Sequence, residues 1–258
     1  RRKIEVYNKH RVRVQPGGIF MEVARIEGTE KKVMPRLADL GFTVIEVSST
    51  ATNAARDMKK EAAFIEQARK LGFAVFGEVG KKFADGDTTR KSEEVVDEAE
   101  TIREMRALLD AGAERVYWEG HLLRRVMGET AEELLAKRDT GTQQVLRVAN
   151  TIGAEHIIFE VSGLRPVLNR RALQFWLITL FGTEVNIGNA RLEEMGLIEG
   201  LRSGSHPVHG FGSAGDYPWI RAMEQGRGAD YAWWSEALQV GRKEGAKRTQ
   251  PKARALAR

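Results

Sequence analysis

Four short apolar runs, each closed by a glutamate, constrain this chain more than anything else in it. They are Thr43-Val-Ile-Glu46, Phe73-Ala-Val-Phe-Gly-Glu78, Arg115-Val-Tyr-Trp-Glu119 and His156-Ile-Ile-Phe-Glu160. Each follows a helical pattern that ends near a glycine: Gly41, Gly72, Gly112 and Gly153. A glycine just past a helix adopts the left-handed conformation that closes it. The runs lack the polar–apolar alternation of a strand with one wet face. They read as strands covered on both faces, as in a parallel sheet.

Arg11-Val-Arg-Val14 and Glu184-Val-Asn-Ile187 read as two further strands, which makes six in alternation with helices. That is the βα rhythm of a parallel sheet. A single helical stretch is expected from Ile19 to about Leu40, with Pro35 as an irregularity. The expected fold class is α/β, of the (β/α)8 TIM-barrel type. Such a barrel carries its chemistry at the C-terminal ends of its strands, where Glu46, Glu78, Glu119 and Glu160 lie. A doubly wound sheet is the runner-up. No G-x-G-x-x-G follows the first strand, which argues against a dinucleotide fold.

One glutamate at a strand end is often a structural hydrogen-bond acceptor, whereas four at equivalent ends point to a site. The densest stretch is Phe73–Lys82, a strand that delivers Glu78, Gly80, Lys81 and Lys82. Charges set directly after a buried strand are costly unless they are paired or used. A surface turn with solvated lysines is the plain alternative. Adjacent residues on an extended backbone point to opposite sides, so one of Lys81 and Lys82 is expected to face the glutamates. After the first strand, Pro16-Gly17-Gly18 either lets the backbone approach a ligand or makes a tight turn. The hydroxyl-rich Ser48–Asn53 run is expected to cap the next helix, with anion binding as the lesser alternative. His206 and His209 are spaced like metal ligands, but their loop supplies no obvious further ones.

Composition narrows the classes. The chain has no cysteine, which excludes disulfides and thiolate chemistry. Its longest apolar stretch, Phe175–Phe181, is too short to span a bilayer. No secretory signal is apparent, and a cytoplasmic location is expected. The formal charge of +5 resides in residues 241–258, which hold seven basic residues and one acid. That tail has no aromatic residue to stack on a base, so a solvated tail is expected rather than a nucleic-acid contact. Residues 1–202 are expected to form the barrel domain. Residues 203–240 form a Gly/Ser-rich loop with an aromatic appendix, and 241–258 the basic tail.

Pro16-Gly-Gly18 with Phe20 and Glu22, Gly41-Phe42, Ile45-Glu-Val-Ser48, Glu78-Val-Gly-Lys-Lys82, Glu119-Gly120 and Ile158-Phe-Glu160 come in a fixed order. Phe181-Gly182, Val185-Asn-Ile-Gly-Asn189 and Gly200-Leu-Arg202 complete it. In this order and spacing the chain resembles the phosphosulfolactate synthase family. The resemblance implies a (β/α)8 barrel that joins sulfite to phosphoenolpyruvate with magnesium, an early step of coenzyme M synthesis. It implies Lys82 as the proton donor to the substrate carbon. Glu46, Glu78, Glu119 and Glu160 would hold Mg2+ directly or through water. Gly17, Gly18, Lys81, Gly188, Asn189 and Arg202 would contact substrate and phosphate. The implied partners are small anionic substrates in a homo-oligomer, with no membrane and no nucleic acid.

The chain also departs from the family pattern. Two strands that members carry before the Pro-Gly-Gly segment have no counterpart here, so the barrel is expected to be incomplete on its N-terminal side. His121 stands where members have arginine, and Val161-Ser-Gly-Leu164 where they have Ala-Pro-Gln-Lys. Ser203-Gly204 stands where a Gly-Asp is expected. A catalytically divergent relative with a stress-protective or binding role, similar to plant heat-stress-associated homologues, is therefore the alternative reading.

Overall fold

The computed structural model describes residues 2–48, 56–80, 97–120, 123–124, 128, 141–161 and 167–202. The chain divides into two compact units, one of residues 1–126 and 140–160 and the other of residues 127–139 and 161–258.

In the first unit, four strands follow their helices in turn. They are β1 (Val44–Val47), β2 (Ala74–Val79), β3 (Arg115–Trp118) and β4 (Ile157–Glu160). They pair in parallel and in chain order. The helices are α1 (Arg2–Lys9), α2 (Gly18–Ile26), α3 (Glu30–Leu40), α4 (Met58–Lys70), α5 (Glu98–Asp110) and α6 (Gly141–Ile152). The α/β order expected of a TIM-type barrel is therefore present. Gly41, Gly72, Gly112 and Gly153 all take positive φ after a helix, as the strand-entry pattern requires.

Three local expectations change. Arg11–Val14 is not a strand. Arg11 sits in a turn at φ 58, and the described ladder contacts come from Val14 alone, whose carbonyl accepts from Thr43 and Val44. The helix expected over Ile19–Leu40 breaks at Gly28, whose φ of 65 ends α2 before α3 begins. The cap of α4 is Asp57, whose carboxylate accepts from the Lys59 and Lys60 amides at 3.1 and 3.3 Å. A carboxylate suits the positive end of a helix better than a hydroxyl does.

The core lies on the helix-facing side of the sheet. Ile45, Val47, Val75, Val116, Trp118, Ile157 and Phe159 are all buried there, and the Trp118 and Phe159 rings meet at 6.2 Å. Gly77 marks a close approach of helix to strand. A Cβ placed on it would sit 2.8 Å from Leu108 Cδ1 of α5, so only glycine lets that helix seat on β2.

The second unit contributes α7 (Val167–Phe181), β5 (Asn186–Gly188) and α8 (Met195–Arg202). Helix α7 buries Ala172, Leu173, Trp176, Leu177 and Leu180. Arg170 is buried beside them with its charge answered. Its Nε donates to Glu194 Oε1 at 2.6 Å, Nη1 to the Val161 carbonyl at 2.8 Å, and Nη2 to the Asn189 carbonyl. Burial alone would raise the Glu194 pKa. The Arg170 guanidinium and the Arg191 amide outweigh it and hold the carboxyl below its usual range. Among the described residues, no helix is long and apolar enough to cross a membrane.

Candidate active site on the glutamate face

Side chains alternate across a strand, so one face of β1–β4 takes every second residue. The ladder pairs Glu46 with Phe76, Glu78 with Tyr117, and Tyr117 with Ile158. Val44, Phe76 and Ile158 pack together as an apolar floor, with Ala74 and Tyr117 against it. Glu46, Glu78 and Glu160 stand toward the C-terminal ends of the same strands, and Glu119 directly follows β3. Glu46, Glu78 and Glu160 are buried, Glu78 with only 1 % of its surface exposed. The four carboxylates of the sequence pattern thus belong to one set of strand ends.

They do not form a level ring. Glu46 is in register with Phe76, two residues below Glu78 on β2. Glu78 in turn is in register with Tyr117, two residues below Glu119, whereas the β3–β4 register sets Glu119 level with Glu160, so the glutamates climb from β1 to β3 and then run level. Among the described residues, no three acidic or histidine side chains gather closely enough to hold a metal ion by themselves. Magnesium is normally held by one or two carboxylates, with water and substrate oxygens completing its shell. An all-oxygen, staggered set of carboxylates fits that manner of binding.

Tyr117 joins these charges, and the sequence pattern did not single it out. Its ring meets Phe76 edge to face at 6.0 Å. Burial first, then the charge of Glu46 and more weakly those of Glu160 and Glu78, push its phenol up to about 12, against an opposing hydrogen bond with Gln15. The phenol is therefore a neutral donor held among carboxylates. Gln15 Nε2 also donates to Glu46 Oε2 at 3.2 Å, which ties the segment before α2 to the face. A signal for Tyr117 was available: a phenol inside a buried run needs a polar partner.

Backbone geometry fixes the remaining positions. The Gly120 amide donates to Glu160 Oε2 at 3.1 Å across adjacent strand ends. The Glu119 amide donates to the Val79 carbonyl at 3.0 Å. Gly17 has φ 81 and open space where a Cβ would stand, so conformation rather than crowding requires glycine there. Gly18 opens α2 and is buried. Lys81, Lys82, His121, His206, His209 and the basic tail lie outside the described residues. Gly188, Asn189 and Arg202 belong to the second unit. There Asn189 takes φ 55, and Arg202 donates to the Thr183 and Val185 carbonyls at 2.8 Å each.

A family model described as (2R)-phospho-3-sulfolactate synthase (ComA) matches residues 1–207. Phosphosulfolactate synthase of Methanocaldococcus jannaschii is 29% identical over 202 residues, which cover 78% of this chain and 73% of that protein. The enzyme of the same name from Methanothermobacter thermautotrophicus is 26% identical over 202 residues, covering 78% of this chain and 71% of that protein.

Proposed function

Because the chain belongs to the (2R)-phospho-3-sulfolactate synthase family, we propose that it is a lyase that adds sulfite, or a related nucleophile, to phosphoenolpyruvate. The observation that carries this reading is the row of glutamates at the C-terminal ends of parallel strands, gathered around Tyr117. In the proposed step, the sulfite sulfur attacks the methylene carbon and forms the carbon–sulfur bond. The electron pair of the double bond moves onto the carbon that bears the phosphate and carboxylate, giving an enediolate-like anion. The Lys82 ammonium protonates that carbon, a role that rests on the Glu78-Val-Gly-Lys-Lys82 motif. Glu46, Glu78, Glu119 and Glu160 would hold Mg2+, which when bound neutralises charge developing on the substrate carboxylate. Carboxylates near Lys82 would favour the charged form that a proton donor needs. Lys81, Gly17, Gly18, Gly188, Asn189 and Arg202 complete the proposed substrate contacts. We expect the chain to act as a cytoplasmic homo-oligomer.

The test is direct. The purified chain is incubated with phosphoenolpyruvate and sulfite, with and without magnesium, and the phosphorus spectrum is followed for a phosphosulfolactate signal. Magnesium-dependent product supports the reading. Unchanged phosphoenolpyruvate under all conditions would overturn it. That outcome would favour the divergent, non-catalytic alternative, to which His121 and Val161-Ser162 already point.

A further inference from the structure

Arg56 occupies the connection into α4, immediately before the Asp57 cap. Its Nη2 donates to the backbone carbonyl of Glu78, so the guanidinium rests on the C-terminal end of β2. Its Nε and Nη1 are buried, and neither has a hydrogen-bond partner among the described residues. No carboxylate of the described residues lies within ion-pair distance of it either.

Two other arginines of the described residues answer their charge with a carboxylate. Arg170 is paired with Glu194. Arg25 lies 2.9 Å from Glu61, donates to the Ser48 carbonyl and covers the Phe64 ring. A guanidinium taken out of water with idle donors is destabilising unless something charged meets it. A second idle group is close by in the ladder. Ser48 follows Val47, the residue paired with Gly77, and so stands opposite Glu78 one step past the last described pair. Its hydroxyl is buried and has no partner among the described residues. Two unanswered polar side chains therefore flank one strand end. One is a planar cation whose donors match an oxyanion, and the other is a neutral hydroxyl.

We propose that Arg56, assisted by Ser48, is an oxyanion anchor that binds one charged end of the substrate, a phosphate, carboxylate or sulfonate group, at the C-terminal end of β2. The anchor rests on the glutamate face being the binding site, but not on which reaction occurs there. It supplies positive charge in a chain whose His121 and Val161-Ser162 depart from the family's usual residues. It also gives an acidic face a means of retaining an anionic substrate.

The test uses binding rather than turnover. The full chain is titrated with inorganic phosphate and with sulfite at constant ionic strength, and binding is read by calorimetry and by the shift in melting temperature. The wild-type chain binds at least one of them saturably. Arg56→Gln weakens that binding by about tenfold or more, as loss of a charge-assisted hydrogen bond does. Arg56→Lys keeps the charge without the fork and falls between the two, which preserves the test if the glutamine variant folds poorly. Equal affinity in wild type and Arg56→Gln, or no saturable binding of either anion by the wild type, overturns the proposal. Arg56-dependent binding without any turnover of phosphoenolpyruvate and sulfite would leave the anchor standing and remove only the synthase reading.

Discussion

Lys82 is the residue on which the proposed chemistry turns, and its neighbour is the natural control. If Lys82 donates the proton, Lys82→Ala lowers turnover by roughly 10²–10⁴-fold, with little change in melting temperature. Lys81→Ala is mild by comparison. Equal effects of the two substitutions on rate would remove the catalytic assignment. Tyr117 yields a prediction that needs no substrate. Its folded pKa of about 12 lies above the ordinary 10.0. Folded and unfolded chains bind this proton equally below pH 10, so the phenol leaves stability unchanged there. From pH 10 toward 12 the unfolded chain loses the proton first, and stability falls. Ultraviolet titration of the phenols shows one tyrosine ionising late, and Tyr117→Phe removes that phase. A titration unaltered by the substitution would contradict the burial of Tyr117 among the carboxylates. The glutamates were legible in the sequence because they repeat. Tyr117 was legible only as a phenol in need of a polar partner, and the roles of Gln15 and Arg56 were not legible. Their roles depend on which strand stands beside which, and no local pattern encodes that neighbour.

At the level of elements, the strands were legible for the same reason as the glutamates. Apolar runs buried on both faces differ from helical stripes even in single sequence, and each is announced by a helix-closing glycine. What failed was Arg11–Val14. It has the composition of a strand, but the left-handed turn at Arg11 and the Pro16-Gly17 break leave room for little pairing. The break at Gly28 was missed because a single glycine is tolerated within many helices. The union of β2 with α5 offers a quantitative test. Gly77→Ala sets a methyl 2.8 Å from Leu108 Cδ1 and 3.2 Å from Leu108 Cβ. The helix must shift or Leu108 must leave its rotamer, at about 1–3 kcal/mol. A lowered denaturant midpoint with an unchanged slope is the expected result. A variant as stable as wild type would show that the seam is slack.

For the whole molecule, the uneven distribution of charge separates the tail from the rest. Residues 241–258 carry the chain's positive excess and almost nothing to bury. Deleting them leaves the melting temperature and any turnover nearly unchanged; a large fall in melting temperature would show that the segment is docked. The strands of the first unit divide their residues in a way that bears on descent. Ile45, Val75, Val116, Trp118 and Phe159 face the helices and hold the layers together, while Glu46, Glu78, Tyr117 and Glu160 alternate with them on the other side. A replacement on the second set touches little of what the first set secures. Each strand end can therefore be altered singly over evolutionary time while the ancestral architecture persists, so new specificities can arise one position at a time within an inherited frame.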